Sequence, residues 1–411
     1  MSDNSSRRVV ITGMGVVSSI GSGVDAFWNG IKRGDCGIQN AETYDIEDLQ
    51  IKIAGEVKNF DAKENGLSKQ FLLSDRYSQF AGIASREAVA GAGIETPLKP
   101  EEGARAAAII GSGIGGINTM EGSYRALFEQ KKRATHPLTL LKTISSSAPA
   151  HVSIEYGITG PCFGVVSACS TATHSIGLVY NMIKSGFIDF GLGGAAEASL
   201  AWGTTRAWQG MRVLSPDGLF PFSKRRNGTV LAEGAGILLL EDYERAKERG
   251  ANIIAEIMGF GMTADAADMV NPSIDGTAGA MEIALKESGL SPADIDYINA
   301  HGTATMVNDV NETRSIKRVF GNNAKDTPIS STKSMHGHAL GAGGGIEAVA
   351  CLKAMQDNYL PPTIGFDEPG DECDLDYIPN EGRSAEVNYT MSNSFAFGGL
   401  NAVLVFGPAP A

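Results

Sequence analysis

Short apolar runs that close on glycine alternate along the chain with longer segments whose apolar residues recur at helical spacing. Residues 7–15, "RRVVITGMG", read as a buried strand ending in glycine, residues 72–92, "LLSDRYSQFAGIASREAVAGA", as a helix, and "AAAIIGSGIGG" as the next strand. A helix after Cys169 leads into two further strands, "DFGLGGAAE" and "TVLAEGAGILLLEDY". From residue 251 the order recurs: strand "NIIAEIMGFG", helix "AGAMEIALKESG", strand "DYINAHGTAT", helix "VNETRSIKRVFG", strand "PISSTKS", helix "IEAVACLKAMQ", then strands "VNYTMSNSF" and "NAVLVFG". Strands that alternate with helices predict an α/β chain with mostly parallel sheets covered by helices. The segment "ERGAN", residues 248–252, follows a charged helix end and divides the chain into halves 1–250 and 251–411. Identity between the halves is negligible, so the duplication rests on the order of elements alone.

Composition narrows the function classes. With 411 residues, 43% hydrophobic and 20% charged, the chain can bury a large core. Its polar start runs straight into "RVVITGMG", and no apolar run approaches the roughly 20 residues of a membrane span, so a cytoplasmic protein is expected. The five cysteines (Cys36, Cys162, Cys169, Cys351, Cys373) are scattered and lack CxxC spacing, which argues against disulfides and a zinc site. A formal net charge of −13 excludes a broad nucleic-acid surface, because phosphate backbones need clustered cations. The basic runs at 131–133 and 224–226 read as solvated faces.

Candidate chemistry gathers where strands end. "GSGIGG" could cradle a phosphate, but a dinucleotide fingerprint needs a helix opening and a downstream ribose carboxylate that are not evident here; close backbone packing is the preferred reading. In "GVVSACSTATHSIG", residues 164–177, Cys169 precedes a helix, whose unsatisfied amides and dipole favour a thiolate and could also bind an oxyanion. A buried cysteine in "VVSAC" is also a plain packing residue by composition. His301 follows "YINA" and His338 lies in "STKSMHGHALGAGGG" beside Lys333, so two histidines at corresponding strand ends of the second half face a cysteine from the first. His336 and His338 lack a third ligand of suitable spacing, so no metal is expected. His174 reads as packing.

"SACSTATHSIG", "NAHGTAT", "STKSMHGHALGA" and "NSFAFGGLNA", in this order and spacing, resemble the condensing enzymes of fatty-acid and polyketide synthesis, the type I/II branch of β-ketoacyl-acyl-carrier-protein synthases. The resemblance spans essentially the whole chain. It implies the thiolase fold, two pseudo-repeated halves in a five-layered αβαβα architecture, and an acyltransferase that joins an acyl chain to malonyl-carrier protein with loss of carbon dioxide. Within the family, "RVLSPDG", "KSMHGH" and "MSNSFAFGG" are most similar to nodulation-type ketosynthases. It also implies roles: Cys169 as nucleophile, His301 and His338 as donors to the enolate, Lys333 orienting His338, and Glu347 pairing within that network. The amides of Cys169 and Phe397 would form the oxyanion hole. Thr303 and Thr305 would hold the pantetheine arm, Ile114 would gate the acyl pocket, and Phe397 would be a mobile gatekeeper. Lys69, Arg206 and Arg212 are the candidates for carrier-protein contact. No cofactor is implied beyond substrates tethered to carrier protein, and the partner is a second copy or a ketosynthase-like chain-length factor.

The pattern departs from the family in places. Ala396 stands where many relatives have glycine and Leu400 where they have threonine, both in the gating loop, and residues 137–152 differ from the usual pocket-lining segment. A thiolase would carry a second cysteine in "NSFAFGGLN", a starter-type synthase an asparagine in place of His338, and a noncatalytic chain-length factor no nucleophile. This chain has none of these traits.

Overall fold

The computed structural model describes residues 7–410. In the first half, strands β1 (Val9–Ser18), β2 (Ala106–Gly111), β3 (Cys162–Phe163), β4 (Phe190–Glu197) and β5 (Gly234–Asp242) lie in the order β1-β5-β4-β2-β3. In the second, β6 (Ala255–Ala264), β7 (Tyr297–Asn299), β8 (Ile329–Ser330), β9 (Thr390–Ala396) and β10 (Leu400–Gly407) lie in the order β6-β10-β9-β7-β8. Adding five to each label of the first order gives the second.

Strand directions repeat as well: β2 runs parallel to β3 and β4, and β7 to β8 and β9, while the β4-β5-β1 and β9-β10-β6 neighbours are antiparallel. The sheets are thus less parallel than the alternation of elements predicts. Only Phe397–Gly399 separates β9 from β10, which is long enough for a hairpin and too short for a crossover. Two residue pairs, Val10–Glu256 and Ile11–Ala255, join the two sheets edge to edge through β1 and β6.

Helices fill three layers. On the outer face of the first sheet lie α1 (Arg76–Ala92) and α2 (Ser147–Tyr156); α4 (Ile274–Ser288) covers the second, with α5 (Asn308–Phe320) against it. Between the sheets lie α3 (Thr171–Lys184) and α6 (Gly343–Asp357), each touching strands of both halves and each other. A middle-layer helix has no solvated face, and α6 is accordingly buried from Gly343 through Leu352. Its approach to β5 requires glycine: a Cβ on Gly236 would lie 2.1 Å from the carbonyl carbon of Gly345. The architecture is the thiolase-like αβαβα fold expected.

Several helices escape the sequence pattern, Val24–Arg33, Ser147–Tyr156 and Trp202–Gly210 among them. Ile117–Phe128 opens directly after "GSGIGG", where no helix start was evident, and none of its residues is buried, so it carries no core-facing stripe to read. No helix among the described residues is long and apolar enough to cross a membrane.

Candidate active site

The turn that presents Cys169 is held by its own polar neighbours. Ala168–Ser170 form a single 3-10 turn ahead of α3, and Ala168 adopts φ 47°, a left-handed conformation costly for a residue with a Cβ. The Thr171 hydroxyl accepts from the Ser167 amide at 2.9 Å and donates to the Ala168 carbonyl at 2.7 Å. His174 Nδ1 lies 2.9 Å from the Ser167 hydroxyl and 3.1 Å from the Ser170 carbonyl, so this histidine braces the turn rather than merely filling space. Two more left-handed non-glycine residues, Ala304 (φ 63°) and Leu340 (φ 45°), sit in the loops that carry His301 and His338.

These loops converge on the sulfur. His338 Nε2 lies 3.1 Å from Cys169 Sγ, while its Nδ1 is buried without a hydrogen-bond partner among the described residues. The His301 and His338 rings meet edge to face with centroids 5.5 Å apart, and the donor atoms of Cys169, His301 and His338 all lie within 4.8 Å of one another. Lys333 and Glu347 form an ion pair beneath them, each side chain 1% exposed. His336 instead turns its nitrogens to the Gly337 carbonyl and the Thr332 hydroxyl, so it does not join His338 as a ligand pair.

Burial dominates the electrostatics. It pushes the Cys169 thiol up to about 12, against the charge of Lys333, which pulls it down. The thiolate expected from the helix start is therefore outweighed, and the resting sulfur carries its proton. Burial, with the positive charge of Lys333, holds both His301 and His338 well below the usual imidazole range. Both rings are neutral at physiological pH, the state in which an imidazole can donate one N–H without carrying charge. Histidine nitrogen NMR of the full-length protein should accordingly find both rings neutral from pH 8 down to pH 6. Protonation of either within that window would contradict the site.

The polar helix α5 supplies a support that the sequence pattern did not single out. Glu312 accepts from the amides of His301 and Gly302, each at 2.8 Å, and from Asn393 Nδ2 at 3.2 Å. Asp309, on the same helix, accepts from Ala304 at 3.1 Å and Phe222 at 2.7 Å. Two carboxylates fully buried on a helix whose other face is charged were the available signal.

A cavity of about 280 Å³ runs from Cys169 and the two histidines past Thr303, Thr305 and Arg212. The threonine hydroxyls lie 3.0 Å apart. Phe397, on the β9–β10 hairpin between β9 and two glycines of positive φ, closes one side, and Trp208 stacks on it with centroids 5.7 Å apart. Of the other expected residues, Ile114 is 39% exposed and does not line this cavity, while two of the carrier-contact candidates lie at the surface: Arg206 is exposed and donates to the Asp48 carbonyl, and exposed Lys69 begins a short helix, Lys69–Leu72.

Comparison with known proteins places the chain in context. Family models described as Beta-ketoacyl synthase, N-terminal domain and C-terminal domain, match residues 6–246 and 254–367. The chain is 42% identical over 400 residues to nodulation protein E of Rhizobium sp. (strain N33), covering 97% of this chain and 99% of that protein. It is 41% identical over 413 residues to 3-oxoacyl-(acyl-carrier-protein) synthase 2 of Staphylococcus aureus (strain COL), covering 99% of each. Among solved structures, the ishigamide ketosynthase/chain length factor superposes with a TM-score of 0.93 at 33% identity, over 99% of this chain and 100% of that one. A chain from a type II PKS acyl-carrier protein in complex with its ketosynthase bound to the hexaketide gives 0.89 at 34% identity, over 98% and 100%.

Proposed function

The chain belongs to the β-ketoacyl synthase family, and from that membership and the site's geometry we propose that it elongates acyl chains by decarboxylative condensation with a malonyl thioester, both substrates being carried on acyl carrier protein. The observation that carries this reading is the approach of His338 Nε2 to Cys169 Sγ at 3.1 Å beside a second neutral imidazole, in the lining of one cavity.

In the first half-reaction the Cys169 sulfur attacks the thioester carbonyl. Its proton moves to His338 and then to the departing pantetheine sulfur, so acyl-Cys169 and a free carrier thiol result. A base at 3.1 Å is needed because burial keeps the thiol protonated. Amides of Cys169 and Phe397 stabilise the tetrahedral oxyanion. In the second half-reaction the malonyl carbon–carboxylate bond breaks, carbon dioxide leaves, and the electron pair passes into the thioester as an enolate. The N–H of His301 stabilises its oxygen, and His338 adds a second once its proton has exchanged through solvent from Nδ1 to Nε2. The enolate carbon then bonds to the acyl carbon, the bond to Cys169 breaks, and the thiolate recovers a proton from solvent. Burial holds the imidazoles neutral, the charge of Lys333 adds to it, and Lys333 is itself held by Glu347. No metal or bound cofactor takes part in these steps.

The mostly apolar cavity suits an uncharged pantetheine arm, with Thr303, Thr305 and Arg212 in its lining. Arg212 and Arg206 present the local positive charge for an acidic carrier, since the net charge of −13 cannot steer it. Lys69 is a further contact of that docking. The helix Ile117–Phe128, none of whose residues is buried, together with exposed Leu140 and Leu141 and with Phe163 at the free edge of the first sheet, forms an apolar face for a second copy or a ketosynthase-like partner. Ile114 reaches an acyl pocket completed by that partner.

Intact mass spectrometry after exposure to acyl-carrier thioesters of several lengths tests the reading. A single acyl adduct at Cys169 is expected, followed by its loss and a 3-oxoacyl product when malonyl-carrier protein is added. A protein that loads no thioester, alone or with a partner chain, would overturn it.

A further inference from the structure

At the end of β4 the carboxylate of Glu197 is fully buried, and among the described residues it hydrogen-bonds only to backbone amides and a hydroxyl. Its Oε2 accepts from the Gly113 amide at 2.7 Å and the Gly341 amide at 3.2 Å; its Oε1 accepts from the Ser112 hydroxyl at 3.1 Å and the Ile114 amide at 3.3 Å. A carboxylate offers about four acceptor positions, so its capacity is filled. Three of these donors belong to the loop after β2 and one to the loop that follows His338.

Sterics at the same point agree. A Cβ on Gly113 would lie 2.7 Å from Oε2, and one on Gly341 would lie 2.8 Å from Oε2 and 2.7 Å from the Gly113 nitrogen. The two loops therefore touch at the carboxylate, and only glycine fits on either side. Outward, the first loop continues to Gly116, whose amide donates to the Thr143 carbonyl at 3.0 Å, within the segment that departs from the family pattern. Inward, Gly341 follows the strained Leu340, which shares an apolar cluster with Cys169 and Leu200.

We propose that Glu197 is a positioning residue: it straps the acyl-side loop, Ser112–Gly116, to the His338 loop, so that the placement of the first sets the reach of His338 to the sulfur. Burial pushes the Glu197 carboxyl up to about 7 against the four donors, which pull it down; in its ionised form it suits this task because charge-assisted bonds to several amide dipoles are stronger than neutral ones. A chain that displaces the acyl-side loop thereby moves the base, which makes acyl acceptance sensitive to chain shape. The proposal rests on the functional reading in that Cys169 is taken to carry the acyl group and the loop of Ile114 to border it.

The test compares full-length wild type, Glu197→Gln and Ser112→Ala. Glutamine keeps the shape but turns an NH2 toward amide donors. Loading of Cys169 from a short-chain and a long-chain carrier thioester is followed by intact mass, and alkylation of Cys169 by iodoacetamide is timed in parallel. Glu197→Gln should slow loading about tenfold and shift the long-to-short ratio, and Ser112→Ala should shift that ratio in the same direction by less. A merely structural role would slow both chains equally, and an unchanged ratio in both variants would overturn the strap. If Glu197→Gln does not fold, Ser112→Ala decides by the same ratio. If wild type itself loads nothing, the functional reading fails instead, and an unchanged alkylation rate in the variants then overturns the strap separately.

Discussion

Replacing Cys169 by alanine should abolish acyl loading and condensation together, by about 10⁴-fold or more, while decarboxylation of a malonyl thioester continues. The two reactions separate because the sulfur is needed only to hold the acyl group, whereas the enolate forms against His301 and His338. Both rings keep their places without the thiol. His301 is anchored through its amide to Glu312 at 2.8 Å, and the His338 amide donates to the Val230 carbonyl at 2.8 Å. The measurement is release of labelled carbon dioxide beside formation of 3-oxoacyl product. Product formation by the alanine variant would remove Cys169 as the nucleophile.

Lys333→Ala should cost about 3–5 kcal/mol of stability, because it leaves the Glu347 carboxylate buried without its cation. Chemical denaturation reads that loss. The variant should also react more slowly with iodoacetamide at fixed pH, since the Lys333 charge is what pulls the Cys169 thiol down. Substituting both partners, Lys333→Met with Glu347→Leu, separates the effects: stability should return, as apolar replacement of a whole buried pair is often neutral, but the slow alkylation should persist. Restored reactivity in the double variant would mean that the lysine acts only through folding.

The sequence was most legible where chemistry and topology coincide. Cys169, His301, Lys333 and His338 stand in linked motifs at strand or helix ends, and the fold draws all four together. Glu312 and Glu197 were less legible because their partners are backbone amides, which any sequence supplies; only the folded chain puts the donors within reach. Trp208 was missed for a similar reason, since its contact with Phe397 crosses from one half to the other. The raised thiol was misjudged because a helix start is local information, whereas burial comes from both sheets. Ile114 is 39% exposed and does not line the sulfur cavity, a placement that its glycine-rich motif does not declare. The antiparallel returns were hidden because an apolar run does not declare its direction.

The repeated strand order has a bearing on how such a site could arise. Cys169 follows β3 and introduces α3; Lys333 and His338 follow β8 and precede α6; and β3 and β8 occupy the same place in the two orders. Nucleophile and base are therefore counterparts, borne at the starts of the two central helices. An ancestral pair of identical halves would have set the same residue opposite itself at this point. Fusing two copies into one chain lets each mutate alone, so that one becomes sulfur and the other imidazole. A duplication of this kind would account for asymmetric chemistry within a repeated frame, with the seam between β1 and β6 as the join.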